Sequence, residues 1–438
     1  YLVACLYRAA GVPNPLLGRL LSAVFAVLTV AVIFLFVRAL YDPVTAWGAA
    51  FFYAAAPLSL YYTRTFMPES MLMFFFMAAL WGFYRWVEKP SWAVWMLSLA
   101  CASLAVLVKP TALLAFFPML GMLWDRRGLS GIRDYRVWLF FPAVLAASVL
   151  WYSHAYKLFQ ETGLTFGILS AGYNKFQTLT MWREIGGIGI AHFRRLFDIV
   201  LTPLGGALFL FGLALSGLKP EAFPRRGFLY AWLAGFAVYL VVVMEGNRLL
   251  EYYQIFIVPV AGIVAARGLV FLAQSLFPSG GRAAWILMAG AAGVFLILSS
   301  LIAGERYAPV KYAQRAYQFA RKAADYSKPG ELFLVIDNNL NYNSYLYGKM
   351  NCRMSPPHQL YYLNRPGWVF YPHEVAGTGP ENMLKFIDRG ARYLVLPAPL
   401  LEQLPGWKAW LAKNQTQLLD DTENGLMLYR LEPTGRRE

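Results

Sequence analysis

Charge is scarce along this chain. Of its 438 residues only 14% are Asp, Glu, Lys or Arg, where an ordinary soluble domain carries about 25%. Cysteine is scarcer still. Cys5, Cys101 and Cys352 show neither metal spacing nor a disulfide framework, and Cys101 lies inside an apolar run. Four histidines, His154, His192, His358 and His373, are scattered without an H-x-x-x-H pair, so neither a metal site nor any other cofactor is expected. The opening residues, YLVACLYRAAG, lack the basic start and small-residue cleavage site of a signal peptide.

What fills the chain is apolar: 58% hydrophobic and 17% aromatic residues, with a mean hydropathy of +0.46. A soluble fold of this size could not hide so much apolar surface, so the solvent for most of it is lipid. The net charge of +15 raises the question of nucleic acid. Its basic residues are spread through short loops between apolar runs, which argues against that partner.

Ten runs approach the roughly 20 apolar residues that cross a bilayer: 16–37, 44–62, 69–86, 91–108, 110–124, 137–156, 198–217, 227–245, 252–273 and 284–303. Helices are required there, because lipid cannot satisfy open backbone groups. Alternate loops differ in charge. One set carries twelve Lys and Arg, and the short loops of the other carry only Arg64, Lys109 and Arg248. The positive-inside rule places the first set in the cytoplasm and the second outside, together with the C-terminal tail. The long loop 157–197, with five more basic residues, falls outside. Its second half, MWREIGGIGIAHFRRLF, suits a helix lying at the interface.

Two domains are expected, a membrane part over 1–303 and an α/β part over 304–438. In the second, Pro309 opens a helix running to 326 with an apolar face of Ala313, Ala316, Tyr317, Ala320 and Ala324. ELFLVID, ARYLVLP and GLMLYRL read as strands, and ENMLKFIDRG as a helix with a glycine stop. The fold class is therefore mainly α: a polytopic helical bundle with a small extracytoplasmic α/β domain.

Three outer turns carry ionisable residues. In YYTRTFMPES, Pro68 suits the first position of a helix and Glu69 falls in its first turn. Two readings are open. Glu69 simply favours the helix dipole, by about 0.3–1 kcal/mol, while Arg64 snorkels or pairs with it. Alternatively, both line a polar cavity at the lipid boundary. Lys109 stands before a proline in VLVKPTALL, and MEGNRLLEYYQIFIVP brings Glu245, Asn247, Arg248, Glu251, Tyr252 and Tyr253 to a third turn. A cationic pocket at a membrane surface suits a phosphate. Against that stand ordinary snorkelling for Lys109 and an aromatic belt for Tyr252 and Tyr253.

Several of these stretches together resemble the bacterial GT-C-type glycosyltransferases related to protein O-mannosyltransferases and lipid A aminoarabinose transferases. They are LYRAAGVPNPLLGRLLSAVFAVLTV, the R-x4-E turn Arg64 to Glu69, LAVLVKP, the YY-x5-P segment of EYYQIFIVPVAGIVAARG, and LYYLNRPGW in the tail. The resemblance implies an enzyme of the bacterial inner membrane. It would move a sugar from a polyprenyl-phosphate donor to a lipid, protein or glycan acceptor on the outer face, inverting the anomeric carbon. It implies Arg64, Lys109 and Arg248 for the donor phosphate and Glu251, Tyr252 and Tyr253 for substrate. Glu69 matches the second acidic position of the family and is the candidate catalytic residue. The family's essential acid lies on an outer loop after an earlier span. No carboxylate occurs between Tyr1 and Asp42, so the chain is expected to begin beyond that loop. Glu251 stands where relatives often carry histidine. The rival classes are an enzyme transferring a preassembled glycan (a ligase or polymerase), a transporter, and a non-catalytic scaffold. Span interiors almost free of charge argue against the transporter.

Overall fold

The computed structural model describes residues 2–11, 14–162, 185–308, 311–336, 358–370, 380–403 and 405–432. The chain divides into two compact units, Tyr1–Ala308 and Pro309–Glu438.

The first unit is helical. Its elements are α1 (Leu2–Ala10), α2 (Pro15–Leu40), α3 (Pro43–Ala55), α4 (Pro57–Tyr62), α5 (Glu69–Glu88), α6 (Trp92–Val108), α7 (Phe116–Arg127), α8 (Tyr135–Thr162), α9 (Ile185–Arg195), α10 (Thr202–Leu218), α11 (Gly227–Val242), α12 (Met244–Leu249), α13 (Ile257–Leu276) and α14 (Gly281–Arg306). Helix starts follow local chemistry. Asn14 and Asp42 accept hydrogen bonds from the backbone N–H groups of Leu16 and Thr45 at 2.9 and 2.8 Å, each just ahead of a proline at the first helical position.

All ten apolar runs are helical, but five described helices have the length and composition to cross a membrane alone, or six if one bent pair counts as a span. Helix breakers account for the difference. Pro57 separates α3 from α4, and Pro110 ends α6 at Lys109 and opens a 3-10 turn, Pro110–Ala115, ahead of the short α7. The run expected at 198–217 begins instead at Thr202, after a bend of 117° between 189–200 and α10. Thr202 takes φ of +62° at that bend, a left-handed conformation that β-branched residues rarely adopt. A helix is present in the second half of 157–197 as expected, α9, and residues 163–184 lie outside the described set.

The core of this unit is aromatic. Phe76 packs on Trp232 and Phe256 at 5.5 and 5.2 Å between ring centroids, and the Trp232 indole N–H donates to the Phe256 carbonyl at 3.2 Å. Helices α10 and α13 approach closely through Gly212, which lies against the Val264 carbonyl, and Gly268, where an added Cβ would sit 3.1 Å from the Gly212 Cα.

One end of the bundle gathers the Arg-rich turns around carboxylates. Arg267 pairs with Asp42 at 2.7 Å, Arg127 and Arg136 with Asp134 at 3.0 and 2.8 Å, and Arg225 with Glu88 at 3.2 Å. Asp125 caps α11, accepting from the N–H groups of Gly227 and Phe228 at 3.0 and 2.9 Å. The three turns carrying Glu69, Lys109 and Glu251 are at the other end.

The second unit holds a five-stranded sheet in the order β2-β1-β3-β5-β4, with β1 (Leu332–Ile336), β2 (Gly367–Phe370), β3 (Ala391–Pro397), β4 (Thr416–Asp421) and β5 (Leu426–Arg430). β1 runs parallel to β2 and β3, and β5 is antiparallel to β3 and β4. The three expected strands are β1, β3 and β5. Strands β2 and β4 were not anticipated: β2 is only four residues long and β4, TQLLDD, is polar at four of its six positions. The expected helix is Lys311–Ala324, and its buried face differs from the predicted one. Ala316, Phe319, Ala320 and Ala323 are buried while Tyr317 is 49% exposed, because the phase is set by the sheet residues Phe333 and Val395 in the same core.

Candidate functional site

Lys109 owes its position to Pro110. The residue before a proline is driven out of the helical region, and Lys109 is extended, with φ −150° and ψ 129°. The helix stops there and the side chain meets α5 and the turn ahead of α13. Its ammonium forms an ion pair with Glu69, whose side chain is fully buried. The same Nζ lies 4.7 Å from the Tyr252 ring centroid and 5.2 Å from that of Tyr253. Two tyrosine faces and a carboxylate thus enclose one cation, an arrangement that cation–π attraction favours when water is excluded. Two of the three turns therefore converge on the start of α5, the YYTRTFMPES turn.

Glu251 has separate partners. Its Oε2 accepts from Arg306 at 2.8 and 3.2 Å, and its Oε1 from the Tyr62 hydroxyl at 3.3 Å. Tyr62 packs against Tyr252 at 5.4 Å, and Tyr61 stacks on Tyr307 at 3.9 Å and 7°. From helix α9, Arg195 donates to the backbone carbonyls of Asn247 and Arg248 at 2.7 and 2.9 Å. Nearby, His192 and Gln254 are in hydrogen-bond contact.

The sequence-predicted residues sort as follows. Glu69, Lys109, Tyr252 and Tyr253 meet directly, and Glu251 is joined to them through Tyr62 and Tyr252. Arg64 is exposed, and the ion-pair partner of Glu69 is Lys109 rather than Arg64. Arg248 enters this network through its carbonyl, which Arg195 holds. Sequence reasoning missed the roles of Tyr62, Arg195 and Arg306. Arg195 was legible only as part of a basic interfacial helix, and Arg306 only as a cation in the last turn of α14. Among the described residues no group of three or more His, Cys, Asp or Glu could hold a metal ion.

Comparison with solved structures decides the architecture. ArnT from Cupriavidus metallidurans in the apo state superposes with a TM-score of 0.60 over 94% of this chain and 83% of that one, at 14% identity. The same protein bound to undecaprenyl phosphate gives 0.58 over 98% of this chain and 86% of that one, at 13% identity. The fold is that of ArnT. An oligosaccharyltransferase from Archaeoglobus fulgidus, in complex with zinc and sulfate, shares it at a TM-score of 0.50 and 14% identity, with 91% of this chain spanning 59% of that one. Residues 1–154 match the family model of dolichyl-phosphate-mannose-protein mannosyltransferases, the part of the bundle that contributes Glu69 and Lys109. No curated protein matches in sequence.

Proposed function

We propose that this chain is a membrane glycosyltransferase that takes a sugar from a polyprenyl-phosphate donor and passes it to an acceptor on the outer face, with inversion at the anomeric carbon. The observation that carries this reading is the Lys109 cluster, in which a cation, a buried carboxylate and two tyrosines from three distant segments converge at one end of a GT-C bundle. The undecaprenyl phosphate bound to the similarly folded ArnT supports a lipid-linked donor. The donor's lipid stays in the bilayer and its phosphate rests among Lys109, Arg248 and Arg64. The bond between the anomeric carbon and the phosphate oxygen breaks as the acceptor oxygen attacks from the opposite face and gives up its proton to a carboxylate base. The departing phosphate keeps the electron pair, and the cations stabilise it. Glu69, held by Lys109, is a positioning residue that aims this ammonium. Tyr252 and Tyr253 set the other two walls, and Glu251, clasped by Arg306 and Tyr62, orders the turn that carries them. The Arg-rich end lies in the cytoplasm and residues 309–438 lie outside the inner membrane.

Titration of the purified protein in lipid nanodiscs with undecaprenyl phosphate, read by native mass spectrometry, tests this. Saturable binding is expected, weakened about tenfold or more in Lys109→Met, as fits loss of a charge-assisted contact. Equal affinity in wild type and variant, or no binding in either, would remove the reading. Offering the same protein a lipid charged with one sugar or with an oligosaccharide separates single-sugar transfer from glycan ligation.

A further inference from the structure

Two fully buried acceptor atoms beside the Lys109 cluster have no partner among the described residues. Glu69 gives one carboxylate oxygen to Lys109, and its Oε2 is buried without a hydrogen bond. Asn247 is wholly buried as well. Its amide nitrogen donates to the Val243 carbonyl at 3.0 Å, which leaves its Oδ1 buried and unmatched. The two lie in one neighbourhood. The Tyr239 hydroxyl, which lies beside the Asn247 side chain, donates to the Tyr253 carbonyl at 3.1 Å. The Tyr253 ring in turn flanks the Lys109 ammonium. An unmatched buried acceptor costs the fold its full desolvation penalty, and a pair of them calls for an explanation.

Resting on the lipid-linked donor proposed above, we infer that Glu69 Oε2 and Asn247 Oδ1 are the sugar-reading acceptors of the site and that they select a neutral, hydroxyl-bearing sugar over a cationic amino sugar. Both atoms only accept, so the group they await must donate, and sugar hydroxyls do so. The charge count decides between hydroxyl and ammonium. Glu69 and Lys109 sum to zero, Asn247 is neutral, and the donor phosphate placed above is already offset by Arg64 and Arg248. A second ammonium would therefore stand next to Lys109 without a counter-charge of its own. A hydroxyl satisfies the same oxygen and brings no charge.

The test compares affinities for undecaprenyl phosphate bare, charged with glucose, and charged with glucosamine bearing a free amine, for the full chain in nanodiscs. Wild type is expected to bind the glucose lipid about tenfold tighter than the bare lipid and to gain nothing from glucosamine. Asn247→Ala keeps the backbone carbonyl that Arg195 holds and should collapse the glucose increment. Glu69→Gln should do the same, with circular dichroism and the thermal midpoint reporting whether it folds. Asn247→Asp adds a negative charge and should shift preference toward the glucosamine lipid, a change that a purely structural asparagine would not produce. An increment that survives both Asn247→Ala and Glu69→Gln, or a wild type that prefers glucosamine, overturns the inference and leaves the lipid-phosphate reading standing. A wild type that binds none of the three lipids removes both.

Discussion

Arg195 donates to the backbone carbonyl of Asn247 at 2.7 Å, across 52 residues of sequence. A second bond, to the Arg248 carbonyl at 2.9 Å, makes the contact a two-pronged one. The planar guanidinium fork suits such a geometry, which an ammonium cannot reproduce. Helix α9 is thereby fastened to the turn that presents Arg248, Glu251, Tyr252 and Tyr253. Arg195→Lys is expected to weaken undecaprenyl phosphate binding several-fold and Arg195→Ala about tenfold. Hydrogen exchange over 244–253 should rise in the same order. Unchanged exchange in the alanine variant would mean that the turn does not depend on α9.

The Lys109–Glu69 pair makes a different kind of prediction. Removing one partner of a buried pair leaves the other charge uncompensated, at a cost of about 3–5 kcal/mol. Lys109→Met should therefore lower stability by roughly 3 kcal/mol, the lower end, since Lys109 keeps 23% exposure. The double variant Lys109→Met, Glu69→Gln should recover most of that loss. Thermal unfolding in detergent checks the cycle, and additive losses would show that the two side chains are not coupled.

In the second unit, Asp421 is almost fully buried and binds the Asn424 amide at 2.7 Å and the Lys322 ammonium at 3.0 Å. Burial alone would raise its pKa. The hydrogen bonds from Asn424 and Lys322 outweigh it and hold the carboxyl below its ordinary value of 3.8. A depressed carboxyl contributes stability that is complete above the unfolded-state value and lost as pH falls through the folded-state one. Asp421→Asn should destabilise β4 and β5 at pH 7 by about 1–2 kcal/mol, seen as faster hydrogen exchange over 416–430 in the full chain. The difference from wild type should shrink below about pH 4. A difference that does not change with pH would assign the loss to packing.

Membrane topology follows from the charge asymmetry of the loops. With the three native cysteines replaced by serine, a cysteine placed at Ala409 should react with a membrane-impermeant maleimide in intact cells. One at Ser130, in the Arg-rich turn between α7 and α8, should react only after the membrane is opened. The reverse pattern would put the Lys109 cluster on the cytoplasmic side and exclude transfer on the outer face.

Much of the first unit was legible because its signals are local. Apolar runs of bilayer length show in composition without any tertiary information, and prolines at 68 and 110 mark where helices break and restart. The same prolines put Glu69 and Lys109 at helix boundaries, so both stood out as candidates. The small domain was read less completely. Strands β1, β3 and β5 are apolar enough to announce themselves, whereas β2 and β4 are held mainly by pairing with a neighbour, a property of register rather than composition.

Residue type, run length and helix punctuation were thus determined by the sequence, because each depends on a few neighbouring residues. Partnership was decided only by tertiary structure. Glu69 lies five positions from Arg64 yet pairs with Lys109, forty positions away, because the packing of α5 against α6 buries that carboxylate beside the residue Pro110 has turned inward. Glu251 meets Arg306, 55 positions away, and Arg195 meets Asn247, for a related reason. Charge and hydrogen-bond energies inside a bundle fall steeply with distance and rise with burial, and neither quantity exists until helices from distant parts of the chain have packed.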